Sequence, residues 1–127
     1  MNTELNLEYR DAANWGTSET VILAGEITPE LYDRIKRKLS GGDDLIAYQV
    51  GLPTPSEKMD EYATFPTEDD HVWTTISEFT DEPDSVQDLL TDAEPTEEMT
   101  LEEFVEKLEQ ISEWDVGAEM ERLGIPE

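Results

Sequence analysis

The sequence has no cysteine, which removes several kinds of chemistry at once. Without thiols there is no disulfide framework, no thiolate nucleophile and no thiolate metal site. A reducing compartment suits such a chain, so we expect a cytoplasmic protein. Residues 1–7 lack the basic and apolar regions of a secretory signal, and no apolar run approaches the roughly 18 residues that span a bilayer. The sequence therefore predicts no membrane insertion.

Groups suited to acid–base catalysis near neutral pH are also scarce, since the chain has a single histidine, His71. Unperturbed carboxylates stay ionised at that pH. Acidic residues are abundant, but no pair of them stands out as the acid and base of a glycosidase-like site. Nucleophile-elbow, P-loop, dinucleotide-binding, zinc-protease and EF-hand patterns are all absent. We therefore predict a protein that is not an enzyme and has no cofactor.

One contiguous group offers oxygen and imidazole ligands to a divalent metal: Glu68, Asp69, Asp70 and His71. Adjacent residues of an extended chain point in opposite directions, which makes convergence on one ion awkward. A solvated acidic loop leading into a strand is the favoured interpretation, so no metal site is predicted.

Basic residues are few, with 8 Lys plus Arg against 33 Asp plus Glu and a formal net charge of -25. Such a chain repels phosphate backbones and anionic lipid heads, which argues against direct binding of nucleic acid or membranes. The charge is uneven: residues 1–53 carry 9 acidic and 5 basic side chains, whereas residues 54–127 carry 24 and 3. The predicted partner is therefore a basic protein surface.

The length of 127 residues and a 36% hydrophobic content suit one domain with a modest core. Short apolar or alternating runs predict strands at 19–24, 44–50 and 71–79. The polar, proline-containing stretch 53–70 predicts a long surface loop with at most one short turn of helix. Together with the helices below, these elements predict an α+β domain over 1–127, in which a small sheet of about three strands is covered by two to four helices.

The first predicted helix is rich in basic residues near its C-terminal end. Thr28 as N-cap, Pro29 in the first turn and Gly41 after the last apolar residue indicate its limits. Half of all the positive charge lies in it, at Arg34, Lys36, Arg37 and Lys38. Cations at a helix C-terminus complement the macrodipole and can pair with acidic residues elsewhere. We interpret this cluster as structural rather than as a phosphate site.

Three more helices are predicted in the acidic half of the chain. Asp84 is expected to cap a brief one. Thr100 and Glu103 form a capping box at the start of the clearest helix, whose apolar residues share one face: Leu101, Phe104, Val105, Leu108 and Ile111. Asp115 is expected to cap the last helix, with Val116, Met120 and Leu123 turned inward.

The outer face of the helix after Thr100 is the predicted partner-binding surface. It carries carboxylates at spacings of four, three and four, which keeps neighbours on one side: Glu102, Glu106, Glu109 and Glu113. Cβ atoms about 5–6 Å apart on such a face offer a line of charge comparable to that of duplex DNA. A second acidic stretch is the alternative surface: Glu68, Asp69, Asp70, Asp81, Glu82 and Asp84.

Three interpretations of the negative charge remain open. The first is a nucleic-acid mimic that inhibits a DNA- or RNA-binding enzyme, because its physical profile resembles that of small phage and plasmid inhibitors of restriction and CRISPR enzymes. The second is a halophile-adapted cytoplasmic protein of unknown role, which the scarcity of Lys favours. The third is a general protein interaction module with Trp residues at an apolar centre.

Overall fold

A five-stranded sheet organises the computed structural model, which describes residues 1–61, 66–67 and 70–125. The strands are β1 (Asn2–Arg10), β2 (Gly16–Leu23), β3 (Asp44–Leu45), β4 (Thr74–Ile76) and β5 (Leu90–Thr91). β1 lies in the middle, with β2 along one edge; on the other edge β5 pairs with its first residues and β4 with its second half, and β3 extends from β4. Each of these pairings is antiparallel.

The described part of the chain also contains four α-helices: α1 (Pro29–Lys38), α2 (Ser77–Thr80), α3 (Leu101–Gln110) and α4 (Val116–Leu123). Thr28 caps α1, Thr100 and Glu103 cap α3 reciprocally, and Asp115 caps α4. The predicted starts of these three helices are therefore confirmed. The predicted α+β class is confirmed as well. The number of strands is not, because the sheet has five instead of about three.

The central strand β1 has no counterpart among the predicted elements. Its side chains alternate, with Leu5, Leu7 and Tyr9 buried and Glu4 and Glu8 on the opposite face. This is the pattern of an antiparallel strand with one face on the core and one towards water. The signal was therefore present in the sequence, although acidic residues on the wet face give the segment a polar composition.

Two predicted strands are shorter than expected. The run 44–50 forms only β3 before a 3-10 helix, Ala47–Val50, and the run 71–79 forms only β4 before α2. Val50 and Phe79 are buried at the points where these helical turns leave the sheet. Burial in the core thus outweighs the strand preference of the residues, because β-propensity depends strongly on tertiary context.

Part of the predicted surface loop at 53–70 lies in the interior. It begins with a 3-10 helix, Pro55–Glu61, whose Met59 side chain is buried. This segment packs against β2, where the Thr17 hydroxyl donates to the carbonyl of Pro55 and Nζ of Lys58 donates to the carbonyl of Ser18. The predicted loop is therefore attached to the sheet.

The apolar core lies between one face of the sheet and helices α1 and α3. It includes Leu5, Leu7, Ile35, Phe104 and Leu108, so the apolar face predicted for α3 is packed. A smaller cluster lies beside α4: Ile46, Val72, Leu123 and Ile125, with Trp73, Trp114 and Met120 against them. The prediction that Val116 faces inward is wrong, because α4 exposes Val116 and buries Glu119 instead.

Candidate binding surface

The predicted acidic face of α3 is shorter than the residue spacing suggested. α3 ends at Gln110, and the backbone of Ile111 is extended. The carbonyl of Ile111 accepts a hydrogen bond from Nζ of Lys38 on α1, which satisfies a group at the helix C-terminus. Glu113 therefore lies beyond the helix. Its predicted place on a four-carboxylate helical face is wrong.

Glu109, the third predicted residue, is held by a cation of the same chain. Arg34 of α1 donates to both of its carboxylate oxygens, with Nε 3.1 Å from Oε2. This hydrogen bonding lowers the pKa of the Glu109 carboxyl. Bidentate pairs of this kind fix geometry as well as charge. Glu109 therefore connects α3 to α1, and Arg34 compensates part of the negative charge that a partner would meet.

The remaining two glutamates, Glu102 and Glu106, line a groove between α1 and α3. Both are exposed, and neither forms an ion pair with another residue in the described ranges. The groove has a volume of about 550 Å³ and is lined by apolar and charged side chains together with the backbone at the end of β2: Ala24, Gly25, Glu26, Leu31, Arg34 and Val105 are among them. Of the four glutamates predicted to form the helical surface, these two lie on the helix and have no ion pair among the described residues.

The alternative acidic stretch is divided by the fold. Glu68 and Asp69 lie outside the described residues. Asp70 is only 8% exposed, and its carboxylate accepts hydrogen bonds from the Tyr9 hydroxyl and, at 2.8 Å, from the backbone N–H of Thr67. Burial, aided by the bond to Asp70, raises the pKa of Tyr9. Asp70 therefore anchors its segment on β1 and does not belong to a binding surface.

Asp81, Glu82 and Asp84 are exposed after α2. Nζ of Lys36 lies 3.1 Å from a carboxylate oxygen of Glu82. The predicted cap at Asp84 is wrong, because the hydroxyl of Ser85 accepts the N–H that begins the following 3-10 helix. The cations of α1 thus bind acceptors at α3 and on this stretch, which agrees with a structural role for the basic cluster.

His71 is fully engaged by backbone groups. Its Nδ1 accepts from the N–H of Trp73 at 2.9 Å, and its Nε2 lies 2.7 Å from the carbonyl of Arg10. Because Nδ1 accepts, Nε2 is the ring nitrogen that donates, and the carbonyl of Arg10 is its acceptor. Among the residues with described positions, no three His, Asp or Glu side chains are grouped to hold a metal ion.

Among the described residues, the most deeply buried charge is Glu119 on α4, which the sequence did not indicate. It is 1% exposed, and Arg122 donates to its two oxygens from Nε at 2.6 Å and Nη2 at 2.8 Å. The guanidinium also lies 3.2 Å from Glu57 and 3.9 Å from the centre of the Tyr48 ring. The hydrogen bonds to Glu119 raise the pKa of Arg122. Spacing of three on a helix suggests such a pair but does not reveal its burial.

Asp44 provides a pH-dependent test of the fold. Burial raises the pKa of Asp44, although the hydrogen bond from the Thr75 hydroxyl at 2.6 Å opposes the shift. A group with a raised folded-state pKa stabilises the fold below its unfolded pKa and loses that contribution as the pH rises. We expect Asp44→Asn to increase the free energy of unfolding at pH 7, and the gain to vanish near pH 3. Urea denaturation at both pH values measures it.

The matched control is Asp88→Asn, at an exposed position. It removes one unit of charge from a solvated site, so it measures the relief of repulsion without a change in desolvation. A gain at pH 7 no larger than that of the control contradicts the assignment of a desolvation cost to Asp44.

The chain matches no protein-family model, no curated protein and no solved structure at a significant level. None of the helices in the described ranges is long and apolar enough to cross a membrane. What the fold and the surface define is the class: an α+β protein of high negative charge with an acidic groove beside α3.

Proposed function

We propose that the protein is a non-catalytic, cytoplasmic binding protein whose acidic surface engages a basic surface of another protein. The partner proposed is a nucleic-acid-binding enzyme, which the protein inhibits by occupying the site of the nucleic acid. The distribution of the eight cations carries this proposal. Six of them donate to groups within the chain: Arg10, Arg34, Lys36, Lys38, Lys58 and Arg122.

Acidic residues without a pairing cation are concentrated in the sequence that leads into α3. No Lys or Arg occurs between Lys58 and Lys107. Exposed carboxylates are found along the segment after β5 and on α3: Asp92, Glu94, Glu98, Glu102 and Glu106. The backbone N–H of Thr96 bonds the carbonyl of Ile22, so this segment runs beside β2. Uncompensated charge of one sign attracts a cationic cleft over distances of about a Debye length, about 10 Å at 0.1 M salt.

The first experiment identifies the partner. The purified protein is used to isolate binding proteins from its native host, and each is then tested for displacement by duplex DNA and by RNA. Displacement of a nucleic-acid-binding enzyme, with loss of its activity, supports mimicry. A partner whose binding is unaffected by nucleic acid contradicts mimicry and leaves a general interaction module.

The acidic surface beside α3 is tested by Glu102→Gln combined with Glu106→Gln. Exposed ion pairs are worth about 0.2–1 kcal/mol each, so loss of two gives roughly fivefold slower association with the isolated partner at low salt. The difference should shrink as salt rises, because screening weakens the attraction in both proteins. Stopped-flow association rates at 20 mM and 500 mM salt are the measurement. Folding should be unaffected or slightly improved.

Glu109 is left intact in this variant because of its bond to Arg34. The matched control is Glu4→Gln with Glu8→Gln, which removes the same charge from the open face of the sheet. Equal rates for the α3 variant and wild type at low salt would show that this face is a solubilising surface only.

A further inference from the structure

The groove between α1 and α3 has an apolar floor in addition to its charged rim. Leu31 is half-buried, and the buried side chains of Leu101 and Val105 also line the groove. Gly25 forms one end with φ of +115°, where a side chain is strained, and the nearest atom to a Cβ at this position would be Cβ of Leu101 at 3.6 Å. The volume of about 550 Å³ falls in the range of about 300–1,000 Å³ found for ligand sites.

The rim of this groove is negative. Glu102 and Glu106 stand on the α3 side without an ion pair to any other described residue. Arg34 also lines the groove, but Glu109 already binds its guanidinium. Glu26 accepts a hydrogen bond from the Met1 amino group at 2.8 Å. The two α3 glutamates therefore dominate the charge that an occupant meets.

We propose that this groove binds an amphipathic cationic segment of the partner, with an apolar side chain on the floor and Lys or Arg beside the two glutamates. The proposal rests on the proposed function, since it concerns the same surface. Charge complementarity selects the occupant: a second copy of the chain brings its own charge of -25 and is repelled, as is nucleic acid. Helices present an apolar residue and a cation three or four positions apart on one face, which matches this arrangement.

The test compares two synthetic helical peptides with identical Lys and Arg content. One carries a single Leu on its cationic face, and the other has Ser at that position. Wild-type protein should bind the Leu peptide about tenfold more tightly by titration calorimetry, because burial of apolar surface on the floor of the groove favours the Leu side chain over Ser. This ratio should persist at 500 mM salt, because ions screen charge but not apolar burial.

Variants assign the effect to the groove. Leu31→Gln should abolish the difference between the peptides, whereas Val86→Gln, at another half-buried position packed on the same core outside the groove, should preserve it. Amide NMR spectra of the wild type provide a second measurement that does not depend on the variant folding. The signals of Gly25 and Val105 should shift more with the Leu peptide than with the Ser peptide.

Equal affinities of wild type for the two peptides overturn the groove proposal, while salt-dependent binding of both still supports the proposed function. A difference that survives in Leu31→Gln also overturns the groove. If neither peptide binds at low salt, the groove proposal fails together with the electrostatic basis of the proposed function.

Discussion

Replacement of Phe104 by alanine is expected to lower the free energy of unfolding by about 3–5 kcal/mol. Phe104 is 0% exposed and lies in the main core on the inner face of α3. The loss combines the transfer free energy of the ring with the cavity left behind. Domains are stable by only about 5–15 kcal/mol, so the variant should be close to unfolding at physiological temperature.

Urea denaturation followed by far-UV circular dichroism measures this loss. Phe104→Leu is the graded control, since it keeps most of the apolar volume and should cost less. Unfolding of Phe104→Ala at the same urea concentration as wild type would show that this face of α3 is not packed. The same stripe of apolar residues would then be available to a partner.

Replacement of Arg122 by methionine is the second large effect, with an expected loss of about 3 kcal/mol. The substitution leaves Glu119 buried without its cation, and an unpaired buried charge costs several kcal/mol. The side chain of Arg122 is itself 25% exposed, which places the expectation at the lower end of the range for broken buried pairs. The loss is measured by urea denaturation at pH 7.

Two further variants separate burial from charge. Adding Glu119→Gln to Arg122→Met removes the unpaired carboxylate and should restore much of the stability. Arg34→Met breaks an ion pair at the surface, with Glu109, and should cost less than about 1 kcal/mol. Equal losses for Arg122→Met and Arg34→Met would show that the burial of Glu119 has no energetic consequence.

The candidate surface was predictable only in part. Exposure of Glu102 and Glu106 follows from the apolar spacing on the inner face of α3, which is a local property. The bond between Arg34 and Glu109 joins residues 75 positions apart, and no spacing rule predicts it. The groove beside them exists only because α1 packs against α3. Its apolar floor was therefore invisible in the sequence.

The sequence itself determined where three of the helices start and that the net charge is negative. Thr28, Thr100 and Asp115 each accept a hydrogen bond from the residue three positions on, so the information needed to place each helix start lies within one turn. The net charge is a sum over the chain and needs no fold. The alternation of Leu5, Leu7 and Tyr9 was also sufficient to indicate a strand.

Tertiary structure alone decided which polar residues became interior and which surface carboxylates kept their charge uncompensated. Asp70 and Glu119 lie in the same kind of polar, acidic sequence as many exposed acids. In the folded protein both are buried, where Asp70 accepts a hydrogen bond from Tyr9 and Glu119 binds Arg122. Strand pairing likewise joined β4 and β5 to β1 from distant parts of the chain. The physical reason is common to all of these cases. Burial and ion pairing depend on distances in space, and residues far apart in sequence come within bonding distance only after the sheet and the helices have packed.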